Sequence, residues 1–271
     1  MKNKKIKKFF TIVVLIASIA TLIFSTYKII MWFKDNKKIS SITETIIENT
    51  KIEELLPSDK SENVNPPEDK FDPYWDYIKM SLISVDFKDL LEKNSDTTGW
   101  VRVEGTSINY PVVQGNNNEY YLNHSFTKDY NSAGWVYLDY RNNKDLSDQN
   151  TIIYGHSRVD GSIFHSLRNV LKDNWYKNKN YHIVKYSTPT ENTLWQVFSV
   201  YTVKEESYYI TPSFGTNEEF KSWLDTMKKR SKFNFNTTVT TDDKILTLSS
   251  CYDTNGTRMV LHAKLIKKEA R

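Results

Sequence analysis

Cysteine occurs once in the 271 residues, at position 251, so this chain has no partner thiol for an internal disulfide. Eight glycines and seven prolines are too few for a low-complexity chain, and no internal repeat is visible. No grouping of histidine, cysteine and carboxylate has the spacing of a metal site, so neither a metal nor any other cofactor is expected. Charge is absent from residues 9–27, and no later segment is apolar enough to cross a bilayer. Net charge is also scarce. Removing the five lysines of residues 1–8 from the formal +4 leaves −1. A nucleic-acid partner therefore has no basic footprint to bind.

What is present begins with those lysines. Five of them precede the uncharged run, and Ile29-Ile30-Met31-Trp32-Phe33 extends it past Lys28. About 20 apolar residues span a hydrocarbon core, and flanking lysines hold their end in the cytoplasm. Ser18-Ile19-Ala20 resembles a signal-peptide cleavage site, but the hydrophobicity continues beyond it and Trp32 stands at an interfacial position. The expected order is a basic cytoplasmic tail (1–8), a single-pass signal-anchor in the cell membrane (9–33), an extracellular spacer (34–70) and an extracellular folded domain (71–271). Ile39, Ile42, Ile46 and Ile47 hint at an amphipathic helix in the spacer, while Pro57, Pro66 and Pro67 read as flexible linker.

From Gly99 onward, short strands alternate with turns, the texture of a barrel or sandwich. Eight candidates occupy residues 100–103, 110–113, 134–138, 151–154, 181–186, 195–203, 245–250 and 258–266. A helix interrupts them. Thr216 and Glu219 fit a capping box, Phe220, Trp223, Leu224 and Met227 form an apolar stripe, and Lys228, Lys229 and Arg230 close the helix. The stripe reads as packing surface. The loop before it, 207–214, is left to line a groove with Tyr208 and Tyr209.

The candidate site is the hairpin of residues 245–264. Alternation puts Leu246 and Leu248 on one face, Ser249 and Cys251 on the other, and Arg258 opens the return strand after an Asn-Gly turn. A lone cysteine is most often a small buried hydrophobe. Outside a membrane, however, an unpaired thiol is unusual. Five histidines could partner it. His156 follows the strand 151–154 across Gly155, where loops present reactive groups. His262 shares the face of Arg258 and is the rival.

These residues resemble a known family, the sortases, cysteine transpeptidases of Gram-positive cell envelopes. Thr247-Leu248-Ser249-Ser250-Cys251 matches the nucleophile motif, with Ser250 in place of the usual threonine. Asn150 through His156, Asp139-Tyr140-Arg141-Asn142, Tyr110 through Gln114 and Tyr120 through His124 follow the family order. The long helical insertion and N-terminal helices resemble class B. The resemblance implies a mainly β fold, a closed eight-stranded barrel, with Cys251, His156 and Arg258 catalytic. Ser249, Tyr208 and Tyr209 are the candidate substrate contacts. It also implies cleavage of a C-terminal sorting motif (LPXTG- or NPXTN-like) of secreted proteins after its threonine, and acyl transfer to an amine of a peptidoglycan precursor. A secreted cysteine hydrolase and a non-catalytic wall-binding module are the alternatives.

Overall fold

The computed structural model describes residues 2–57, 62–64, 66–251 and 255–271. In chain order the strands are β1 (Ile52–Leu55), β2 (Glu62–Asn63), β3 (Leu82–Val85), β4 (Thr97–Val103), β5 (Asn109–Val113), β6 (Tyr137–Leu138), β7 (Asn150–Tyr154), β8 (Ile183–Ser187), β9 (Glu191–Lys204), β10 (Ile245–Cys251) and β11 (Thr257–Ala270). The helices are α1 (Lys2–Asn49), α2 (Tyr74–Tyr77), α3 (Lys88–Lys93), α4 (Asp173–Lys177) and α5 (Asn217–Arg230).

Eight strands form a ring in the order β10-β7-β6-β5-β4-β8-β9-β11, and β11 closes it by pairing antiparallel with β10. Closure removes the unpaired edges that an open sheet would expose. The strands expected from alternation are these eight. β6 is shorter than its sequence pattern because Gly134 turns the chain at φ +62°, where a Cβ would lie 2.5 Å from the Tyr121 carbonyl oxygen. Leu246, Leu248, Met259, Leu261 and Ala263 fill the main core. Ile245 and Val260, of opposite parity, pack in a second core with Phe220, Trp223, Leu224 and Met227 of α5. The Thr216 hydroxyl caps α5 by accepting the Glu219 N–H at 3.2 Å. Glu219 reaches back one residue further than a capping box requires, to the Gly215 N–H.

The spacer begins with the helix that Ile39, Ile42, Ile46 and Ile47 hint at, ahead of the prolines read as linker. Helix α1 continues without a break to Asn49, and Ile39 and Ile46 are buried in the main core. Their i, i+7 spacing, with Ile42 between them, makes a stripe that lands on the folded domain. β1 then pairs with β3 in the register Ile52↔Val85. The apolar periodicity outweighs the prolines, which begin only after β1. The N-terminal part of α1 is long and apolar enough to cross a bilayer, and none of its apolar window is buried against the domain.

Candidate active site

Three strands converge on one cleft. Cys251 ends β10 opposite Arg258 of β11. β7 runs parallel to β10 on the other side, with Tyr154 beside Ser249, so the chain leaving β7 delivers Gly155 and His156 to the same end. The Gly155 N–H donates to the Ser249 carbonyl at 3.2 Å. A Cβ on residue 155 would stand 2.6 Å from the Phe164 ring, so only glycine fits this approach. The side chain of Cys251 and residues 252–254 of the turn lie outside the described residues.

His156 is half-buried, and its Nε2–H donates to the Leu122 carbonyl at 2.9 Å. A carbonyl only accepts, which fixes the proton on Nε2 and leaves Nδ1 with the lone pair. Burial lowers the His156 pKa, and the positive charges of Arg158 and Arg258 lower it further against the opposing Leu122 hydrogen bond. The imidazole is thus neutral at neutral pH. Arg258 has 22% of its side chain exposed, and its Nη2 lies 2.8 Å from Glu205 Oε2. That ion pair occupies one of five guanidinium N–H donors.

The cleft has a volume of about 310 Å³, and His156, Ser249, Ser250, Tyr209, Glu205 and Arg258 all line it. Tyr209 is only 3% exposed, and its hydroxyl lies 2.9 Å from Ser249 Oγ. It is therefore a packed part of the cleft wall. Tyr208 does not line this cleft. It borders a separate surface groove with Phe214 and Glu218, and its carbonyl accepts from Trp223 Nε1 at 2.9 Å.

His262 belongs elsewhere. It is fully buried between Thr247 and Tyr201, and burial pushes its pKa down to about 3. Thr247 spends its hydroxyl proton on Asn150 Oδ1, so His262 Nδ1–H donates to Thr247, while Nε2 faces the Tyr201 hydroxyl. This network ties β10 and β11 to the first residue of β7. His124 stacks on Tyr120 at 4.0 Å, and His182 is buried among Tyr77, Tyr176 and Trp175. Among the described residues no cluster of metal-ligating side chains occurs.

Sequence reading missed the groups that hold the cleft open. Asp139 is buried, and it accepts from Arg141 through both carboxylate oxygens (2.9 and 2.7 Å), from Tyr154 at 2.8 Å and from Asn118 at 3.0 Å. Arg141 also donates to the Ile210 carbonyl at 2.9 Å, so one fork joins the β6 end to the loop bearing Tyr209. Gln114 donates to the carbonyls of Asp139 and Asn142. The Asp-Tyr-Arg-Asn signal was legible as a motif, but its partners come from three distant segments.

A closed barrel that gathers a cysteine position, a histidine and an arginine at strand ends defines a cysteine-dependent acyl-transfer enzyme as the class. Residues 101–266 match the family model described as a sortase domain. Sortase B of Staphylococcus aureus strain NCTC 8325 / PS 47 is 31% identical over 266 residues, covering 97% of this chain and 99% of that protein. The crystal structure of sortase B from Bacillus anthracis in complex with AAEK1 superposes with a TM-score of 0.68 at 31% identity, covering 87% of this chain and 99% of that one. A Staphylococcus aureus sortase B–substrate complex gives 0.62 at 35% identity over 67% of this chain and 84% of the other. The chain belongs to the sortase family, the cysteine transpeptidases, and to its class B.

Proposed function

We propose that this chain is anchored by α1 with its N-terminus in the cytoplasm, and that outside the membrane it joins secreted proteins bearing a C-terminal sorting motif to an amine of a peptidoglycan precursor. What supports this reading is the register that sets Cys251 opposite Arg258 and β7 beside β10, together with the cleft that His156 and Arg258 both line.

Cys251 is the nucleophile. An ordinary thiol titrates near 8.5, so it needs a base to take its proton at neutral pH. His156 is that base, because its depressed pKa keeps Nδ1 unprotonated. The thiolate attacks the carbonyl that follows the motif's threonine side chain, and the oxyanion formed is met by guanidinium N–H groups of Arg258. The imidazolium returns its proton to the departing amide nitrogen, and the C–N bond breaks to leave a thioester on Cys251. An acceptor amine then attacks the thioester, gives a proton to His156, and expels the thiolate with a new amide bond. Ser249 and Tyr209 form the wall against which the motif lies.

The test is turnover of the full chain in detergent on a set of sorting-motif peptides, read by mass spectrometry with and without an amine acceptor. An amide product that depends on the acceptor supports the transfer reading. Hydrolysis at equal rate in both arms supports the secreted-hydrolase alternative, and no cleavage of any peptide defeats both.

A further inference from the structure

The catalytic loop is gripped by the first turns of α1 beyond its apolar run. Arg158, two residues after His156, donates to Asn36 Oδ1 and, at 3.2 Å, to the Ser132 carbonyl. Its guanidinium lies 6.0 Å from the centre of the Trp32 ring. Asp35 Oδ2 accepts from both the N–H and the hydroxyl of Ser132, at 3.1 and 2.6 Å. The Asp35 carbonyl accepts from Asn131 at 3.0 Å. Lys38 pairs with Asp129 at 3.0 Å, and Ile39 is fully buried. Trp32 and Asn36 are about 6 Å apart along a helix axis at 1.5 Å per residue. The loop carrying His156 is thus fixed within two turns of the point where the apolar run ends.

The surface beside this grip matches a lipid boundary. A groove of about 520 Å³ runs between α1 and the loop of residues 129–132, lined by Tyr27, Lys28, Met31, Trp32 and Tyr130. Tyr130 is 67% exposed, with the His124 ring edge-on to it at 6.0 Å. Tyrosine and tryptophan favour the headgroup level of a bilayer, while Lys28 packs its Nζ 5.6 Å from the centre of the Phe24 ring. The groove takes in the exposed side chains of Tyr27 and Ile29, which neighbour exposed Phe24 and Ile30 along α1.

We propose that α1 is a rigid mount that seats the catalytic domain directly on the outer leaflet, with Tyr130 in the lipid headgroup layer and the cleft held just above it. This rests on the membrane-spanning reading of α1, and its partner is the phospholipid surface itself. A free tether would let the domain range through the wall. A mount keeps the His156 loop at one height above the leaflet.

The test needs no activity. The full chain carrying Cys251→Ser is reconstituted in vesicles of phosphatidylcholine and phosphatidylglycerol. A fluorophore is attached to a single new cysteine, made as Ile23→Cys, Tyr130→Cys or Glu53→Cys, and nitroxide lipids serve as quenchers. Helix α1 ends at Asn49, about 25 Å along the axis from Trp32, and Glu53, four residues beyond that end, is exposed. The expected result is that the probe at 23 is quenched by nitroxides deep in the chains, the probe at 130 loses most of its emission to nitroxides at the headgroup, and the probe at 53 keeps its own. Quenching at 23 with none at 130 overturns the seating but leaves the span intact. No quenching at 23 overturns the span and the proposal with it. In the Asp35→Ala/Lys38→Ala variant, emission at 130 should recover toward that at 53. Persistent quenching there would mean that the loop binds lipid unaided, and the mount fails.

Discussion

The imidazole of His156 donates to the backbone carbonyl of Leu122 at 2.9 Å, a contact between the loop after β7 and a segment 34 residues earlier. It orients the ring and assigns proton exchange to Nδ1. His156→Ala should therefore reduce transfer to background while leaving the melting temperature close to wild type, since the ring is only half-buried. His262→Ala should do the reverse. It empties a fully buried site and strips partners from Thr247 and Tyr201, so stability should fall by about 2–4 kcal/mol while turnover per folded molecule survives. Denaturant melts paired with single-turnover assays check both. An active His156→Ala enzyme would sink the catalytic assignment.

Acid should unfold the domain through its buried histidines. The folded-state pKa of His262 is about 3, well below an unfolded histidine near 6.5. The unfolded chain therefore binds the proton first. This contribution is whole above about pH 6.5 and is lost progressively as pH falls toward 3. At about 1.4 kcal/mol per pH unit, His262 alone removes about 2 kcal/mol between pH 6.5 and 5. His182, pushed down to about 4 by burial, acts with the same sign. Urea unfolding at pH 7.5 and 5 should show the loss, and His262→Gln should flatten it. An unchanged slope in His262→Gln would place the acid sensitivity elsewhere.

The barrel strands and α5 were legible because their side chains repeat with periods that only one local structure satisfies. Leu246 and Leu248 against Ser249 show period two, and Phe220, Trp223, Leu224 and Met227 show the helical stripe. The pairing of Cys251 with Arg258 follows from the hairpin, which is local. The ion pair of Arg258 with Glu205 and the bond of His156 to Leu122 were not legible, because each joins segments far apart in sequence. The continuation of α1 was half-legible. Ile39 and Ile46 signalled a helix, but nothing local says that a helix emerging from a membrane will dock on the domain it carries. Tyr208 and Tyr209 look alike in sequence, and the 3₁₀ turn at Tyr208–Ile210 accompanies their separation, Tyr209 to the cleft wall and Tyr208 to another groove.

Arg258→Lys should separate charge from geometry. Lysine retains the positive charge but loses the planar fork that can present two N–H groups to one oxyanion. Turnover should fall about 10²-fold or more, the range for losing an oxyanion donor, with a much smaller change in KM. Glu205→Gln is the companion variant. Glu205 is 68% exposed on its side chain, so breaking its ion pair should alter stability little, by less than about 1 kcal/mol. Near-normal turnover in Arg258→Lys would show that charge alone suffices at this position.

Arg141 should control the cleft wall without touching the chemistry. Its guanidinium holds Asp139 through both oxygens and the Ile210 carbonyl through Nη2, so it ties the end of β6 to the loop that carries Tyr209, a loop that Trp223, Asn150 and Ser249 also hold. Burial alone would raise the Asp139 pKa, but the hydrogen bonds from Arg141 and Tyr154 outweigh it and hold the carboxyl below its usual range. Arg141→Ala leaves that buried carboxylate with Tyr154, Asn118 and the backbone N–H of residue 141 but without its half-exposed countercharge, and stability should fall by about 1–3 kcal/mol. Asp139→Asn/Arg141→Ala removes the charge together with its partner and should recover much of that loss. The double variant still lacks the tie to Ile210, so its loop should be looser and its KM for sorting peptide raised, with kcat changed less. Thermal melts and peptide kinetics on the two variants separate these effects. A double variant with wild-type KM would mean that the loop is held by Tyr209 and Ser249 rather than by Arg141.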